Sequence, residues 1–396
     1  MAKPTDERYR ARGASARKEE VQAAIAGESA GLFPKAFCKI VPDALAGDPE
    51  WCVAMHADGA GTKSALAYLV YRETGDLSVF RGIAQDALVM NLDDLLCVGA
   101  TGPFLLSNTI GRNARRVPGE AIAEIIRGYA ELAEQYRAWG LDIVPAGGET
   151  ADVGDLVGTL IVDATMTARL RRRDVVANSR VSPGDIVIGL SSSGQALYEH
   201  AYNAGIGSNG LTSARHDLLH KDYALKYPET FDPDQPVRLR YSGPFHVTDT
   251  LPGTSVTVGQ ALLSPARTYA PVLAPLLEQH RARISALVHC TGGGQTKCLR
   301  AGEGIHYVKD DLFPLPPVFD AIRSVTGTPW RELYQVFNMG HRMEIVAPED
   351  LWPAVEELAS RVDVEARVVG HCEASPLGKR NVLTVMTPGG AERYEA

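Results

Sequence analysis

In its first hundred residues the chain carries the segment His-Ala-Asp-Gly-Ala-Gly-Thr-Lys, which is rich in groups that bind metals and phosphates. Asp58 offers carboxylate oxygens of the kind that Mg²⁺ prefers. Thr62 offers a hydroxyl, and Lys63 offers a positive charge for a phosphate. Gly59 and Gly61 have no side chains, so a bulky ligand can approach the main chain. The segment indicates a nucleotide-phosphate and metal site, with an ordinary strand-to-helix turn as the alternative.

A second acidic group lies in the stretch 81–99, where apolar residues at helical spacing predict a helix. Asp86 and Asp93 are seven residues apart and therefore lie on one helix face, with Asp94 beside them. Carboxylates next to an apolar stripe favour a bound cation, to which Asp58 would add another ligand. The alternative is a solvated helix face.

Three further glycine-rich segments have the composition of ligand-binding turns. A predicted strand at 142–145 leads into a glycine turn at 147–152, which delivers Glu149. A predicted strand at 284–289 leads into Thr-Gly-Gly-Gly at 291–294, whose successive amides would suit an anion. The polar segment at 208–210 could also bind a ligand.

Strands alternate with helices along the whole chain, which predicts an α/β or α+β protein in two halves. A length of 396 residues also favours two domains. We expect an N-terminal arm at 1–35 with a short helix at 16–26, an N-terminal domain at 36–175 and a C-terminal domain at 176–396.

Composition excludes several classes of protein. The formal net charge of −8 argues against a nucleic-acid surface. No apolar run has the roughly 20 residues of a membrane helix, and the charged start is not a secretory signal. The six cysteines are scattered and form no C-x-x-C pair, which indicates reduced thiols in a cytoplasmic protein.

Some short motifs do not support a function. Residues 205–210 match G-x-G-x-x-G, but no strand runs into them and no acidic residue is placed for a ribose, so we reject dinucleotide binding. His216 and His220 are spaced for a metal pair on a helix. Because no third ligand is evident, a helix surface is the expectation. The chain has no G-x-x-x-x-G-K-[ST], G-x-S-x-G or H-E-x-x-H motif.

The informative segments coincide, in order, with those of phosphoribosylformylglycinamidine cyclo-ligases, also called AIR synthetases, and the chain resembles that family over about residues 50–350. The matching segments are D-G-A-G-T-K at 58–63, M-N-L-D-D-L-L-C-V-G-A at 90–100, G-G-E-T-A at 147–151, P-G-D-x-x-I-G-L at 183–190, S-S-G at 192–194, S-N-G at 208–210, T-G-G-G at 291–294 and F-N-M-G at 337–340.

The resemblance implies a two-domain homodimer whose N-terminal sheets pair into a barrel, with ATP bound near the dimer contact. It implies an ATP- and Mg²⁺-dependent ring closure in purine biosynthesis, which converts formylglycinamidine ribonucleotide into aminoimidazole ribonucleotide. It implies no nucleic-acid or membrane partner.

Carried over by motif, the resemblance assigns residues to three roles. The catalytic residues are Asp58, Lys63 and Asp94. The ATP-binding residues are Gly59, Gly61, Thr62, Lys63, Asp93, Gly148, Glu149 and Thr150, and the metal ligands are Asp58, Asp86, Asp94 and Glu149. The ribonucleotide-binding residues are Ser193, Gly194, Ser208, Asn209, Gly210, Gly292, Gly293, Gly294 and Asn338.

The chain also departs from the family. Gly207 stands where relatives have a histidine, which raises the question of whether His200 replaces it, and 221–260 looks like added material. Other ATP-using branches remain as alternatives, namely thiamine-monophosphate kinase and selenophosphate synthetase. The hydrogenase-maturation type needs a C-terminal cysteine, which this chain lacks. A non-catalytic nucleotide-sensing dimer is a further alternative.

Overall fold

The computed structural model describes residues 7–16 and 19–396, which form two β-sheets with helices packed around them. Strands of the first sheet come from residues 40–171, and strands of the second from residues 186–395. The first six residues of the expected arm, and residues 17–18 within its expected helix, lie outside the described residues. The expected two-part architecture of mixed strands and helices is present.

The first sheet has five strands in the order β1-β2-β5-β3-β4. They are β1 (Ile40–Pro42), β2 (Trp51–Gly59), β3 (Phe104–Arg112), β4 (Ile143–Asp152) and β5 (Leu160–Arg171). Only β3 and β4 pair in parallel. Strands β1 and β4 are the edges of this sheet, so the sheet of a single chain is open. The closed barrel that the resemblance implies, formed by two chains, is not seen in the described residues.

The prediction of a glycine turn at 147–152 is wrong, because strand β4 continues through these residues to Asp152. The register between β3 and β4 shifts between Leu106 and Asn108, opposite Gly147. Gly147 has a φ of 104°, which favours glycine, and it lets the strand take up the extra residue and continue.

The second sheet has seven strands in the order β12-β11-β8-β10-β6-β9-β7. They are β6 (Ile186–Ser191), β7 (Ala286–His289), β8 (Ile305–Lys309), β9 (His341–Ala347), β10 (Ala366–Ala374), β11 (Val382–Thr387) and β12 (Gly390–Glu395). Strands β6 and β9 are buried along their whole length, so they form the centre of this domain.

The helices pack on the sheets and against one another. They are α1 (Glu7–Arg10), α2 (Glu19–Ala24), α3 (Lys63–Thr74), α4 (Arg81–Leu96), α5 (Gly119–Ala138), α6 (Leu211–Leu218), α7 (Asp222–Lys226), α8 (Val258–Leu263), α9 (Ala270–His280), α10 (Pro317–Thr326), α11 (Trp330–Val336) and α12 (Trp352–Ser360). None of the helices in the described part of the chain combines the length and apolar character needed to cross a membrane.

Helices α3 and α4 connect the two halves. Ala67 and Tyr68 of α3 belong to the apolar core under the first sheet, whereas Leu66 and Leu69 belong to the core of the second domain. Helix α4 is buried from residue 83 to residue 96 except at Gln85, because β2, β5, α5 and α9 all pack against it. The segments expected to bind ligands therefore converge at a junction between domains.

Candidate active site at the domain junction

The acidic glycine segment joins β2 to α3 at the edge of this junction. Strand β2 ends at Gly59 and α3 begins at Lys63, so only three residues make the turn. Gly61 has a φ of 56°, which residues with side chains rarely adopt. Asp58 is exposed at the strand end, and one of its oxygens accepts a 2.7 Å hydrogen bond from the Gly59 amide.

A second carboxylate, Asp163 of β5, lies beside this turn. It is the direct ladder partner of Gly59, and a Cβ added to Gly59 would lie only 1.8 Å from Asp163 Oδ1. Glycine is therefore required at position 59. Burial, and next the charge of Asp58, raise the pKa of Asp163. Two neighbouring carboxylates that repel each other fit a divalent cation.

Asp163 is not among the candidate residues predicted from the sequence, because it lies inside a strand and not in one of the glycine-rich segments. The signal was present, since Asp163 is the only acidic residue in a strand of apolar, hydroxyl and basic side chains.

Lys63 points away from the glycine turn and into the protein. Its Nζ lies 2.9 Å from Asp86 Oδ1, and both side chains are fully buried. It also donates to the carbonyl oxygens of Gly207 (3.2 Å) and Ser264 (2.5 Å). Burial lowers the pKa of Lys63, and the Asp86 carboxylate opposes that shift. The same Asp86 oxygen accepts hydrogen bonds from Ser208 Oγ (3.0 Å) and the Ala266 amide (2.8 Å), so this pair joins the domains.

Asp93 faces α9. Its oxygens accept hydrogen bonds from Thr268 Oγ1 (2.9 Å) and the Tyr269 amide (3.1 Å), just before α9 begins. Burial raises the pKa of Asp93 to about 7. Asp93 therefore holds the segment that leads into α9, and the described contacts do not bring it to the glycine turn.

Asp94 receives a histidine from each domain. Its Oδ1 lies 2.7 Å from His289 Nδ1, and its Oδ2 lies 3.2 Å from His56 Nε2. Burial lowers the pKa of His289 to about 4, so a neutral His289 donates its Nδ1–H. Burial acts to raise the pKa of Asp94, but the hydrogen bond from His289 brings it below its usual value. His56 is the most exposed of the three, at 23% of its side chain.

Asn91 fixes the orientation of His56. Its amide nitrogen donates to the carbonyl oxygens of Asp58 (3.0 Å), Ala87 (2.8 Å) and Ala164 (3.1 Å). The remaining oxygen of Asn91 faces His56 Nδ1 at 3.0 Å, so that nitrogen carries a hydrogen. Neither histidine was predicted as a site residue from the sequence. His56 begins the segment at 56–63, and His289 ends the predicted strand that leads into the glycines at 291–294.

The four carboxylates predicted to share a metal do not converge. Asp86 and Asp94 are eight residues apart on one helix, a rise of roughly 12 Å. Gly59 pairs with Asp163, Asp163 with Thr109, and Thr109 with Glu149 on neighbouring strands. Three strand spacings therefore separate Glu149 from Gly59, a distance of roughly 14 Å. Gly148, Glu149 and Thr150 are all exposed on the edge strand β4.

The polar and glycine segments of the second domain meet opposite the turn. Thr62 Oγ1 lies 2.9 Å from the Oγ1 atom of Thr212, which is two residues after the 208–210 segment. A Cβ added to Gly292 would lie 3.7 Å from Asn209 Nδ2, so these two segments are neighbours. Gly293 and Gly294 have φ values of 105° and 49°, and Gly294 is pressed against the Phe337 carbonyl. The predicted ribonucleotide segments thus share one wall.

Three other predicted substrate residues serve contacts within the protein. Asn338 is buried and accepts hydrogen bonds from Ser192 Oγ (2.8 Å) and the Gly340 amide (3.0 Å). The Ser193 carbonyl accepts from Arg267 Nη1 at 2.9 Å, and Gly194 forms a bridge with Asn203. The structure does not bring Ser193 or Gly194 into a described contact with the glycines at 292–294.

The described arm residues pack on the second domain. Arg8 and Arg12 both bind Asp217 of α6, at 2.6 and 2.7 Å. The arm continues to Ala16, whose carbonyl lies near Gly293. The arm therefore covers the outer side of the ribonucleotide segments.

A side chain at position 207, where the family resemblance predicts a histidine, would crowd its surroundings in this conformation. A Cβ on Gly207 would lie 2.6 Å from Arg342 Nη1, and Arg342 is buried. His200 is exposed and lines a surface cavity with Gln85 and Glu131. His56 and His289 are the histidines that the structure brings to the junction.

Family models match both halves of the chain. A model described as AIR synthase related protein, N-terminal domain, matches residues 38–170, and one described as AIR synthase related protein, C-terminal domain, matches residues 182–382. The chain belongs to the AIR synthase related family. The family resemblance read from the sequence is confirmed, and so is the two-domain AIR synthase-like fold.

Curated relatives within this family carry one enzyme name. Phosphoribosylformylglycinamidine cyclo-ligase of Methanothermobacter thermautotrophicus is 32% identical over 310 residues, 78% of this chain and 77% of the relative. The enzyme of the same name from Thermococcus gammatolerans is 34% identical over 300 residues, 75% of this chain and 73% of the relative. This AIR synthase related chain is an enzyme of the cyclo-ligase type.

Solved structures share the fold at low identity. A structure of hydrogenase maturation protein HypE has a TM-score of 0.52 at 15% identity and covers 86% of this chain and 87% of that chain. A HypE–HypF complex has a TM-score of 0.52 at 16% identity, with coverage of 95% and 98%.

Proposed function

We propose that this chain uses ATP to close the imidazole ring of aminoimidazole ribonucleotide from formylglycinamidine ribonucleotide. One observation carries the proposal beyond family membership. The acidic glycine turn of the first domain contacts the start of α6, next to the predicted ribonucleotide wall, through Thr62 with Thr212. Helix α4 contacts that wall through Asp86 with Ser208. A phosphate donor on the turn would therefore lie next to a substrate on the wall.

The chemistry asks for this kind of site. The formyl amide oxygen of the substrate is a poor leaving group, so ATP first phosphorylates it to an iminophosphate. The neighbouring amidine nitrogen then attacks the formyl carbon, and phosphate leaves. Phosphoryl transfer of this kind depends mainly on positioning and on stabilisation of charge. The turn at Gly59–Thr62 offers backbone amides and a hydroxyl for the ATP phosphates.

We assign the Mg²⁺ that accompanies ATP to Asp58 and Asp163. Burial, and next the charge of Asp58, raise the pKa of Asp163, and a cation bound between the two carboxylates would relieve their repulsion. Mg²⁺ bound there would neutralise charge on the phosphates. Asp86 and Asp94 already have protein partners, so we give them the role of holding the junction together.

The ribonucleotide would lie against Asn209 and the glycines at 292–294, beneath the arm. Lys297 adds a positive charge nearby, with its Nζ 3.4 Å from Thr291 Oγ1. The exposed edge of His56, held by Asp94, is the part of the histidine pair that a substrate could reach. Lys63 contributes by fixing the turn against the wall.

We also propose a homodimer formed through the outer face of the first sheet. Met55, Thr167, Leu105 and Val144 form one row across four strands, because each is the ladder partner of the next. The three apolar members are 64%, 50% and 39% exposed. A row of exposed apolar side chains on a sheet is typical of a surface that is covered by a second sheet.

The test of the reaction is phosphate release from Mg-ATP, with and without formylglycinamidine ribonucleotide, with the imidazole product followed in the same sample. We expect phosphate and product in equal amounts. No stimulation by this substrate would contradict the proposal, and thiamine monophosphate or selenide would then be tried in its place.

A further inference from the structure

The added segment between α6 and α8 brings together two histidines that are 26 positions apart in the sequence. His220 follows the end of α6, and His246 lies in the irregular chain after α7. The backbone fixes both positions. The His220 amide donates to the Phe245 carbonyl at 2.7 Å, and the Gly243 amide donates to the Leu219 carbonyl at 2.9 Å. The two histidine backbones are therefore held side by side.

The side chains converge as well. The imidazole rings of His220 and His246 lie 4.8 Å apart between centroids, tilted by 34°. Asp222 Oδ2 lies 3.1 Å from His220 Nδ1. One ligand atom from each of His220, Asp222 and His246 lies within 4.8 Å of the others. Asp249 lies next to this group, with an oxygen 3.7 Å from His246 Nδ1.

We propose that His220, Asp222 and His246 form a binding site for a divalent transition-metal ion of the zinc class. Zinc binds imidazole nitrogen and carboxylate oxygen at about 2.0–2.2 Å, so ligand atoms around one ion are up to about 4 Å apart. The three ligand atoms need to approach only slightly, and the 27–62% exposed side chains are free to rotate that far. Water or Asp249 would complete the coordination.

The ligand chemistry separates this site from the one proposed for Mg²⁺. Imidazole suits zinc, nickel and copper, whereas Mg²⁺ prefers oxygen ligands. The sequence pair of His216 and His220 is not the site, because His216 is fully buried against Tyr241. His220 instead finds its partners across the added segment, which sequence spacing does not show.

A metal ion here would cross-link a long irregular segment. That segment packs on the outer side of α3, where Tyr68 Oη donates to Glu229 at 2.6 Å and Lys226 pairs with Glu73 at 2.5 Å. Cross-linking positions 220 and 246 reduces the freedom of the unfolded segment. Bound zinc should therefore stabilise the segment and, through it, the helix that begins at Lys63.

The test is calorimetric titration of ZnCl₂ into untagged full-length protein, in buffer containing excess Mg²⁺ to occupy oxygen-only sites. We expect one zinc ion per chain and a melting temperature raised by roughly 5 °C at a large excess over the dissociation constant. The His220→Ala/His246→Ala variant should lose at least tenfold in affinity. His200→Ala, which removes another exposed histidine, is the matched control and should bind as the wild type does.

A spectroscopic readout keeps the test independent of stability. Co²⁺ in place of zinc should give visible absorption from a nitrogen–oxygen site in the wild type and in His200→Ala, and not in the double variant. Circular dichroism without metal shows whether each variant is folded, and His246→Gln replaces the double variant if it is not. Zinc binding that is absent in the wild type, or equal in wild type and double variant, would overturn the proposal.

Discussion

The two groups of acidic residues in the first domain differ in what already surrounds them. The carboxylates of α4 are buried and have partners, namely Lys63 for Asp86, the start of α9 for Asp93, and two histidines for Asp94. The strand-end carboxylates Asp58 and Asp163 repel each other at the surface of the junction. The sequence prediction assigns Asp58, Asp86 and Asp94, together with Glu149, to one metal.

Both groups consist of aspartates, so the contacts around each carboxylate, and not the residue type, decide whether it binds a metal or stabilises the protein. A buried carboxylate that is bound by a lysine, a histidine or backbone donors has protein partners already and gains little from an added cation. Asp58 and Asp163 instead lie next to each other at the end of β2, where two neighbouring carboxylates favour a divalent cation. We therefore assign stability and domain contact to the α4 group, and metal binding to the strand-end pair.

The largest expected effect comes from breaking the Lys63–Asp86 pair. Asp86→Ala leaves the buried Lys63 ammonium without its carboxylate, and we expect the free energy of unfolding to fall by about 3–5 kcal/mol. Chemical denaturation measures this loss. Asp155→Ala, at an exposed position, is the control and should change stability by no more than about 0.5 kcal/mol.

A double variant sharpens that result. Lys63→Met/Asp86→Leu removes both charges, so it should be more stable than Asp86→Ala alone. If Asp86→Ala is as stable as the wild type, the pair does not hold the domains together and our assignment of α4 fails.

The raised pKa of the buried Asp93 predicts that the stability of the protein depends on pH. Its pKa is about 7 in the folded protein and 3.8 when exposed, so between these values the folded state binds more protons than the unfolded state. The free energy of unfolding therefore falls as pH rises from about 4 to about 7, by up to about 4 kcal/mol. Denaturation midpoints across this range should show the decline in the wild type and a weaker one in Asp93→Asn. Equal slopes in both proteins would argue against a buried, neutral Asp93.

A smaller effect is expected at the outer face of the first sheet. Leu105→Glu places a charge within the exposed apolar row, and we expect the dimer dissociation constant to rise at least tenfold. Light scattering after size exclusion measures the assembly, with Leu156→Glu, an exposed loop position, as control. Asp58 and Asp163 belong to the same chain. If Leu105→Glu keeps some activity, the Mg²⁺ concentration for its half-maximal rate should therefore equal that of the wild type.

Much of the fold could be predicted from the sequence. Helical spacing located α4, and the apolar runs at 142–145 and 284–289 located the start of β4 and β7, because these patterns are local in the sequence. The continuation of β4 through its glycines could not be seen, because it depends on pairing with β3 and on a bulge at Gly147. The closed barrel that the family resemblance implies would need a second chain, which a single sequence does not describe.

The site could be predicted as a set of segments but not as a set of contacts. The turn at 58–63 and the wall at 208–210 and 291–294 are local features, and the structure brings them together. Asp163, His56 and His289 gain their significance only from residues distant in sequence, as does the partnership of Lys63 with Asp86. Spacing along one helix predicted a shared face for the α4 carboxylates, but not that Asp86, Asp93 and Asp94 would each meet a different partner.

The most direct test of this division is the Mg²⁺ dependence of ATP turnover in Asp58→Asn and Asp163→Asn, with Asp155→Asn as control. The strand-end assignment predicts that each variant needs at least roughly tenfold more Mg²⁺ for half-maximal rate, because a carboxylate ligand is replaced by a neutral amide. Their melting temperatures without metal should not fall. Wild-type Mg²⁺ dependence in both variants would contradict the account and return the metal to another part of the junction.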